Sequence, residues 1–301
     1  LPQVTQRREV ALRVRVVREG RVVFEDTKPW SVFPPLKLQA TAPVGLYDPR
    51  GEFGARLGQA GLQVEAVSDL GRVPPGVRVL IVGPGALEEA SSKPRRIGEQ
   101  RAGSGRLLDY VRGGGRVLVL EQRSVPPGVM PVALSERNST MTFAQAPEHP
   151  LLPGLRPTDL KWWRPDNVVS VSEIARPLQG GLRAIVVSGS RTGLSHAPLM
   201  EVFLGRGVLV LSQLRLAERL GVEPTAGVIL QNAVDYLAGF QPATVRTSLY
   251  CPDEQTRDVL GELGLQSTDV TAAPAQADWS AVSLLIACHP VAGLEPCLPQ
   301  L

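Results

Sequence analysis

Glu121 and Gln122 are the first residues of this chain placed where chemistry could be done. They directly follow the apolar run Val117-Leu118-Val119-Leu120, which reads as a strand buried on both faces. In open α/β sheets, ligands and reactive groups gather just past the carboxyl ends of such strands. A carboxylate at this elbow can serve as a base, but Glu121 and Gln122 are better explained as bonding the backbone of the following loop. His149, in Pro147-Glu148-His149-Pro150, falls in a loop able to fold over the sheet end, so Glu121 and His149 are the acid–base pair of a possible small-molecule hydrolase. A loop histidine between prolines serves more often as an anchor, and His149 has no nucleophile to activate. Gln122, Trp162, Trp163 and Asp166 form a candidate ligand-binding set, with the tryptophans as a sugar-stacking platform. The plainer expectation is one indole packed inward and one left at the surface.

Other constellations carry less. Cys288-His289 are adjacent on an extended segment, so their side chains point to opposite faces and His289 cannot activate Cys288. Cys251, Cys288 and Cys297 lack C-x-x-C spacing, which leaves no zinc site and no disulfide framework and suits small buried apolar residues. Gly83-Pro84-Gly85 lacks the third glycine of a dinucleotide fingerprint, and proline removes a donor. No metal and no cofactor are expected.

The elements that must hold these residues follow from patterning. Leu107, Leu108 and Val111 mark one helical face, Gly113-Gly114-Gly115 ends that helix, and the Val117 strand follows. Before it, Val44–Tyr47, Leu62–Val67 and Val77–Gly83 read as strands, with a helix through Phe53, Leu57 and Ala60 and another from Arg101 to Val111. After Pro126-Pro127 the chain is irregular to Asn167. Ala184–Ser188, Leu199–Phe203 and Gly207–Ser212 are then strands, the last two a hairpin, and a helix from about Pro224 to Leu237 closes the domain. The fold class is α/β: a doubly wound, mostly parallel, flavodoxin-like sheet over 44–240 with an antiparallel extension. Residues 1–36 read as the last strands of a β-sandwich, since two or three strands cannot bury a face alone, and 37–43 as a linker.

The segment 246–301 reads as the start of a second, truncated copy. At an offset of 203, nine of the 24 positions from Val44 to Val67 recur, including Leu46-Tyr47-x-Pro49 as Leu249-Tyr250-x-Pro252. Val79-Leu80-Ile81 recurs as Leu284-Leu285-Ile286 after a two-residue insertion.

Composition bounds the function classes. The 301 residues carry 32 basic and 29 acidic side chains, a formal charge of +3. The basic residues are scattered and not interleaved with aromatics, so a nucleic-acid partner is not expected. No apolar run approaches the roughly 18 residues of a membrane span. Beginning at Leu1, the chain reads as a piece of a longer protein.

The run Asp109-Tyr110-Val111-x-Gly113-Gly114-Gly115-Arg116-Val117-Leu118-Val119-Leu120-Glu121-Gln122, then His149-Pro150-Leu151-x-x-Gly154-Leu155, then Gly205-x-Gly207 with Gln213, resembles the class I glutamine amidotransferase-like domain. It is most similar to the version appended to bacterial glycoside hydrolase family 2 proteins of the β-galactosidase type. The resemblance covers about 40–240. It implies upstream β-sandwich and barrel domains in the same chain, carbohydrate as a partner, homo-oligomerisation, and a periplasmic or extracellular location. An active amidotransferase of this class needs a cysteine at the elbow; here the elbow reads Glu121-Gln122-Arg123. The resemblance therefore implies a non-catalytic accessory region, serving domain packing, oligomerisation or glycan contact; beside it and the hydrolase stands a third reading, a ligand-binding or scaffolding module of a cell-envelope protein.

Overall fold

The computed structural model describes residues 4–35, 37–88, 104–125, 129–176, 182–191, 193–242, 247–262 and 267–300. Pro126-Pro127, the Arg101 start of a helix and Leu265-Gln266 of the repeat lie outside them. The chain divides into two units, Leu1–Phe240 and Gln241–Leu301.

In the first unit the strands β3 (Val44–Tyr47), β4 (Glu65–Ala66), β5 (Val79–Val82), β6 (Arg116–Val119) and β11 (Gly207–Ser212) lie parallel in the order β4-β3-β5-β6-β11. This is the flavodoxin-like strand order. The antiparallel strands β10 (Gly193–Leu204), β9 (Leu182–Ser190) and β7 (Thr142–Ala144) extend it, and β8 (Ile174–Ala175) pairs with β10. The mixed α/β class expected from the sequence is the one observed.

Alternation along the strands builds two cores. Val79, Ile81, Leu118, Leu120, Val208 and Val210 face one side, against α1 (Glu52–Gln59), the short α3 (Leu216–Arg219) and α4 (Pro224–Gly239). Leu80, Val82, Val117, Val119, Leu209 and Leu211 face the other, against Leu107, Leu108 and Val111 of α2 (Ser104–Arg112). Strands buried on both faces must be apolar at nearly every position, which is why these runs show no period of two.

The three glycines between α2 and β6 close the helix in a Schellman turn. Gly115 N–H reaches Tyr110 O at 2.9 Å, Gly114 N–H reaches Val111 O at 2.8 Å, and Gly114 has φ 114°. The β10–β11 hairpin then seats on this turn, with Val208 N–H donating to Gly115 O at 3.1 Å. Any side chain at Gly207 would collide with the carbonyls of Val111 and Gly115. Helix α4 starts as its sequence suggests: Pro224 lies in its first turn and the Glu223 side chain accepts from Thr225 N–H. At its other end the buried Arg116 donates to Leu237 O and Ala238 O, satisfying carbonyls that the helix leaves open.

The amino-terminal strands β1 (Arg8–Arg18) and β2 (Arg21–Val32) form a separate two-stranded antiparallel sheet. β2 runs unbroken through Trp30 and Val32. Arg7 holds the base of this ribbon to the 154–159 loop, donating to both carboxylate oxygens of Asp159 and to Gly154 O while stacking over Phe33.

In the second unit β12 (Thr247–Tyr250), β13 (Thr268–Asp269) and β14 (Leu284–Ala287) form a parallel sheet in the order β13-β12-β14, with α5 (Glu254–Glu262) after β12. Order and register match β4-β3-β5. Gly45↔Glu65 corresponds to Ser248↔Thr268, and Val44↔Val79 to Thr247↔Leu284.

Two sequence readings change. The proposed strand Leu62–Val67 keeps only Glu65–Ala66, because Val64 packs toward the core while only Gly45 and Leu46 of β3 offer pairing partners. The stretch to Asn167, read as irregular, contributes β7, whose three residues are too few to leave a periodic signal. No helix among the described residues is long and apolar enough to cross a membrane.

Candidate functional site

A cavity of about 810 Å³ opens at the carboxyl ends of the parallel strands. Its wall takes Asp48 from the end of β3, Pro84 and Gly85 from the end of β5, Glu121 to Arg123 from the end of β6, and Arg215 and Glu218 from the segment after β11. This is where a doubly wound sheet holds its ligands.

Glu121 is the central group. Its Oε1 accepts from Ala217 N–H at 2.9 Å and Glu218 N–H at 3.1 Å, while its buried Oε2 has no partner among the described residues. Burial pushes its carboxyl up to about 7, against the opposing pull of its own amide and those of Glu218 and Ala217, and the Glu218 charge adds to the rise. A carboxyl in this state gives or takes a proton near neutral pH.

Gln122 is a backbone lock. Its Nε2 donates to Gly83 O (2.9 Å) and Leu120 O (2.7 Å), its Oε1 accepts from Leu87 N–H (3.0 Å), and it is 1% exposed. Gln213 answers it: Gln122 N–H donates to Gln213 Oε1, and Gln213 Nε2 donates to the carbonyls of Gln122 and Ser172. Both amide hydrogens of Gln122 are spent on these carbonyls, so the residue fixes the loops around the cavity.

His149 does not reach the cavity. Its Nε2 lies 3.0 Å from Glu201 Oε2, its Nδ1 accepts from Leu151 N–H at 3.2 Å, and its ring meets Tyr236 edge-on. Both ring nitrogens are committed, the hydrogen standing on Nε2. Glu201 is fully buried and also accepts from Tyr236 Oη at 2.8 Å and Arg183 at 3.4 Å. Burial pushes the Glu201 carboxyl up, but these donors outweigh it and hold it below the ordinary carboxylate value. The pairing of Glu121 with His149 at the sheet end is therefore not formed.

The tryptophans separate. Trp163 is 1% exposed in the core, with its indole N–H on Asp159 O at 2.7 Å, whereas Trp162 is 55% exposed and has φ 52°. A two-indole platform is not present, because Trp163 fills the space beneath the loop. Asp166 stands one step behind the cavity: its Oδ2 accepts from Arg215 at 2.7 Å and Arg219 at 2.8 Å. The Arg215 hydrogen bond, with help from Val168 N–H and both guanidinium charges and against some burial, holds its carboxyl at about 2. Asp166 thus positions Arg215, which the cavity does see. Arg215, Glu218 and Asp48 were not singled out from the sequence. Arg215 and Glu218 follow a strand end three residues apart, the only signal they gave.

Fold and site together define an α/β protein with a doubly wound sheet and a polar cavity at its switch end. No family model matches the chain, and no curated protein does. Among solved structures it is similar to a cytoplasmic protein of Salmonella typhimurium (11% identity, TM-score 0.40, 76% of this chain and 95% of that one). It is also similar to a β-galactosidase from Rahnella sp. R3 (12% identity, TM-score 0.42, 68% of this chain and 32% of that one). A third likeness is to an exo-β-1,4-mannosidase from an Opitutaceae bacterium (14% identity, TM-score 0.35, 67% of this chain and 36% of that one). The chain spans about a third of the length of each of these two glycosidases. Folds of this kind host many unrelated functions, so the site must carry the functional argument.

Proposed function

We propose that the chain is a non-catalytic, amidotransferase-like accessory region of a larger carbohydrate-active protein, with its sheet-end cavity serving contact with a glycan. The observation that carries this reading is the elbow after β6. There Glu121 is bonded to the amides of Ala217 and Glu218, in the position where an amidotransferase would present a nucleophile. Among the described residues lining the cavity there is no cysteine and no histidine. Arginine and carboxylate side chains such as Arg215, Glu218 and Asp48 alternate around the wall, a donor and acceptor mixture suited to hydroxyl groups.

The apolar row Leu12, Val14, Val16, Phe24 and Trp30 on the β1–β2 ribbon is exposed, which supports further strands of the same protein covering it. Upstream β-sandwich and barrel domains, and association with a second copy, belong to this proposal.

The test pairs two measurements on the purified chain. Incubation with L-glutamine should release no ammonia above buffer, and titration with a panel of neutral mono- and disaccharides should give saturable binding that Glu121→Gln weakens. Ammonia release at enzymic rates, or no saccharide binding across the panel, would overturn the reading.

A further inference from the structure

The strand ends of the second unit bring two cysteines together. Cys251 directly follows β12 and Cys288 directly follows β14. The strands are parallel with Tyr250 opposite Ala287, and the register continues past them, since Cys288 N–H donates to Tyr250 O at 2.8 Å. Residues in register on neighbouring strands point to the same face, with backbones about 4.8 Å apart. That spacing lies inside the range a disulfide spans.

The first unit supplies a ruler for the same place. Asp48 and Gly83 occupy the corresponding positions, with Gly83 N–H on Tyr47 O at 2.9 Å. A Cβ built on Gly83 would stand 3.5 Å from Asp48 Cβ, within the Cβ separations of disulfides. The neighbouring Cys251 thiol, together with burial and the Asp253 charge, pushes the Cys288 thiol up to about 11. Cys251 is fully buried and also donates to Asp253 O, whereas Cys288 is partly accessible.

We propose that Cys251 and Cys288 are a redox-modification site that closes reversibly into a cross-strand disulfide with a low-molecular-weight disulfide as oxidant. The accessible Cys288, deprotonated, attacks one sulfur of the small disulfide and expels one small thiolate. Cys251 then gives up its proton and attacks the Cys288 sulfur of the mixed disulfide, expelling the second. The protein loses two electrons and two protons; the oxidant gains both and leaves as two thiols. This does not depend on the glycan reading, and it goes beyond the expectation of small buried apolar residues.

The experiment equilibrates the full chain with oxidised glutathione, blocks free thiols and digests with trypsin, which separates 247–257 from 258–301. Expected are two of the three thiols lost, a mass lower by two hydrogens and a link between these peptides, kept in Cys297→Ser and lost in Cys288→Ser. Cys251→Ser should instead retain one glutathione on Cys288. Closure should accelerate about tenfold per pH unit between about pH 7 and 9, because thiolate is the attacking form. Three free thiols in folded wild-type chain after oxidation, or a bridge that needs Cys297, would overturn the proposal; the wild-type map decides this even if a variant fails to fold.

Discussion

Glu121 and Glu201 are both buried in the first unit, and their surroundings drive them in opposite directions. Glu201 receives three side-chain partners, His149, Tyr236 and Arg183, and is held below the usual carboxylate value despite full burial. Glu121 receives two amides on one oxygen and no partner among the described residues on the other, and rises to about 7. Burial alone penalises the charged form, and only a complete set of donors reverses it. Glu201 is thus a structural anion that fixes the 146–155 loop to β10 and α4, and Glu121 is the carboxyl left ready to respond to a ligand or to pH.

The largest effect expected from breaking this contrast is at Glu201. Glu201→Ala strands the His149 and Tyr236 donors and the Arg183 charge, and should cost roughly 3–5 kcal/mol of stability in urea unfolding at pH 7. Its pH dependence follows from its lowered value. The stabilisation is whole above the ordinary carboxylate value and disappears as pH falls through the folded one, so wild-type chain should weaken in acid more than Glu201→Gln.

Glu121→Gln should act in the opposite sense. Its folded value lies above the ordinary 4.5, so its contribution is whole below that pH and lost as pH climbs to about 7. The neutral amide avoids this loss, and the variant should gain up to about 3 kcal/mol over wild type at pH 8. Tyr236→Phe removes one donor to the Glu201 anion and should lose roughly 1.5–3 kcal/mol. Asp166→Asn should be the smallest, below about 1 kcal/mol, because its carboxylate is 45% exposed and solvent screens its pairing with Arg215 and Arg219. Its effect should fall further at high salt.

What the sequence disclosed, and what it hid, follows from how far each feature reaches along the chain. The apolar runs of β5, β6 and β11 and the glycine stop after α2 are local, and they were legible with the parallel order they imply. The Leu-Tyr-x-Pro recurrence is local too, and it falls on strands whose order and register match between the two units. The site was legible only at its centre: Glu121 stood out because it follows a strand. Arg215, 94 positions later, joins the cavity through the fold of the segment after β11, and no spacing announces that. His149 was expected to fold over the sheet end, and the structure sets it against Glu201 and Tyr236 instead. Its destination is set by Glu201 on β10 and Tyr236 on α4, partners 52 and 87 residues away. Cys251 and Cys288 stand 37 positions apart, and it is strand register that sets them side by side.

The most direct measurement is the unfolding free energy of wild type and Glu121→Gln at intervals from pH 4.5 to 8, with Glu201→Gln as the contrasting variant. The difference between wild type and Glu121→Gln should widen in favour of the variant as pH rises toward 7 and then level off. Parallel curves across that range would contradict a buried Glu121 whose carboxyl is only half satisfied, and with it the distinction between the two glutamates.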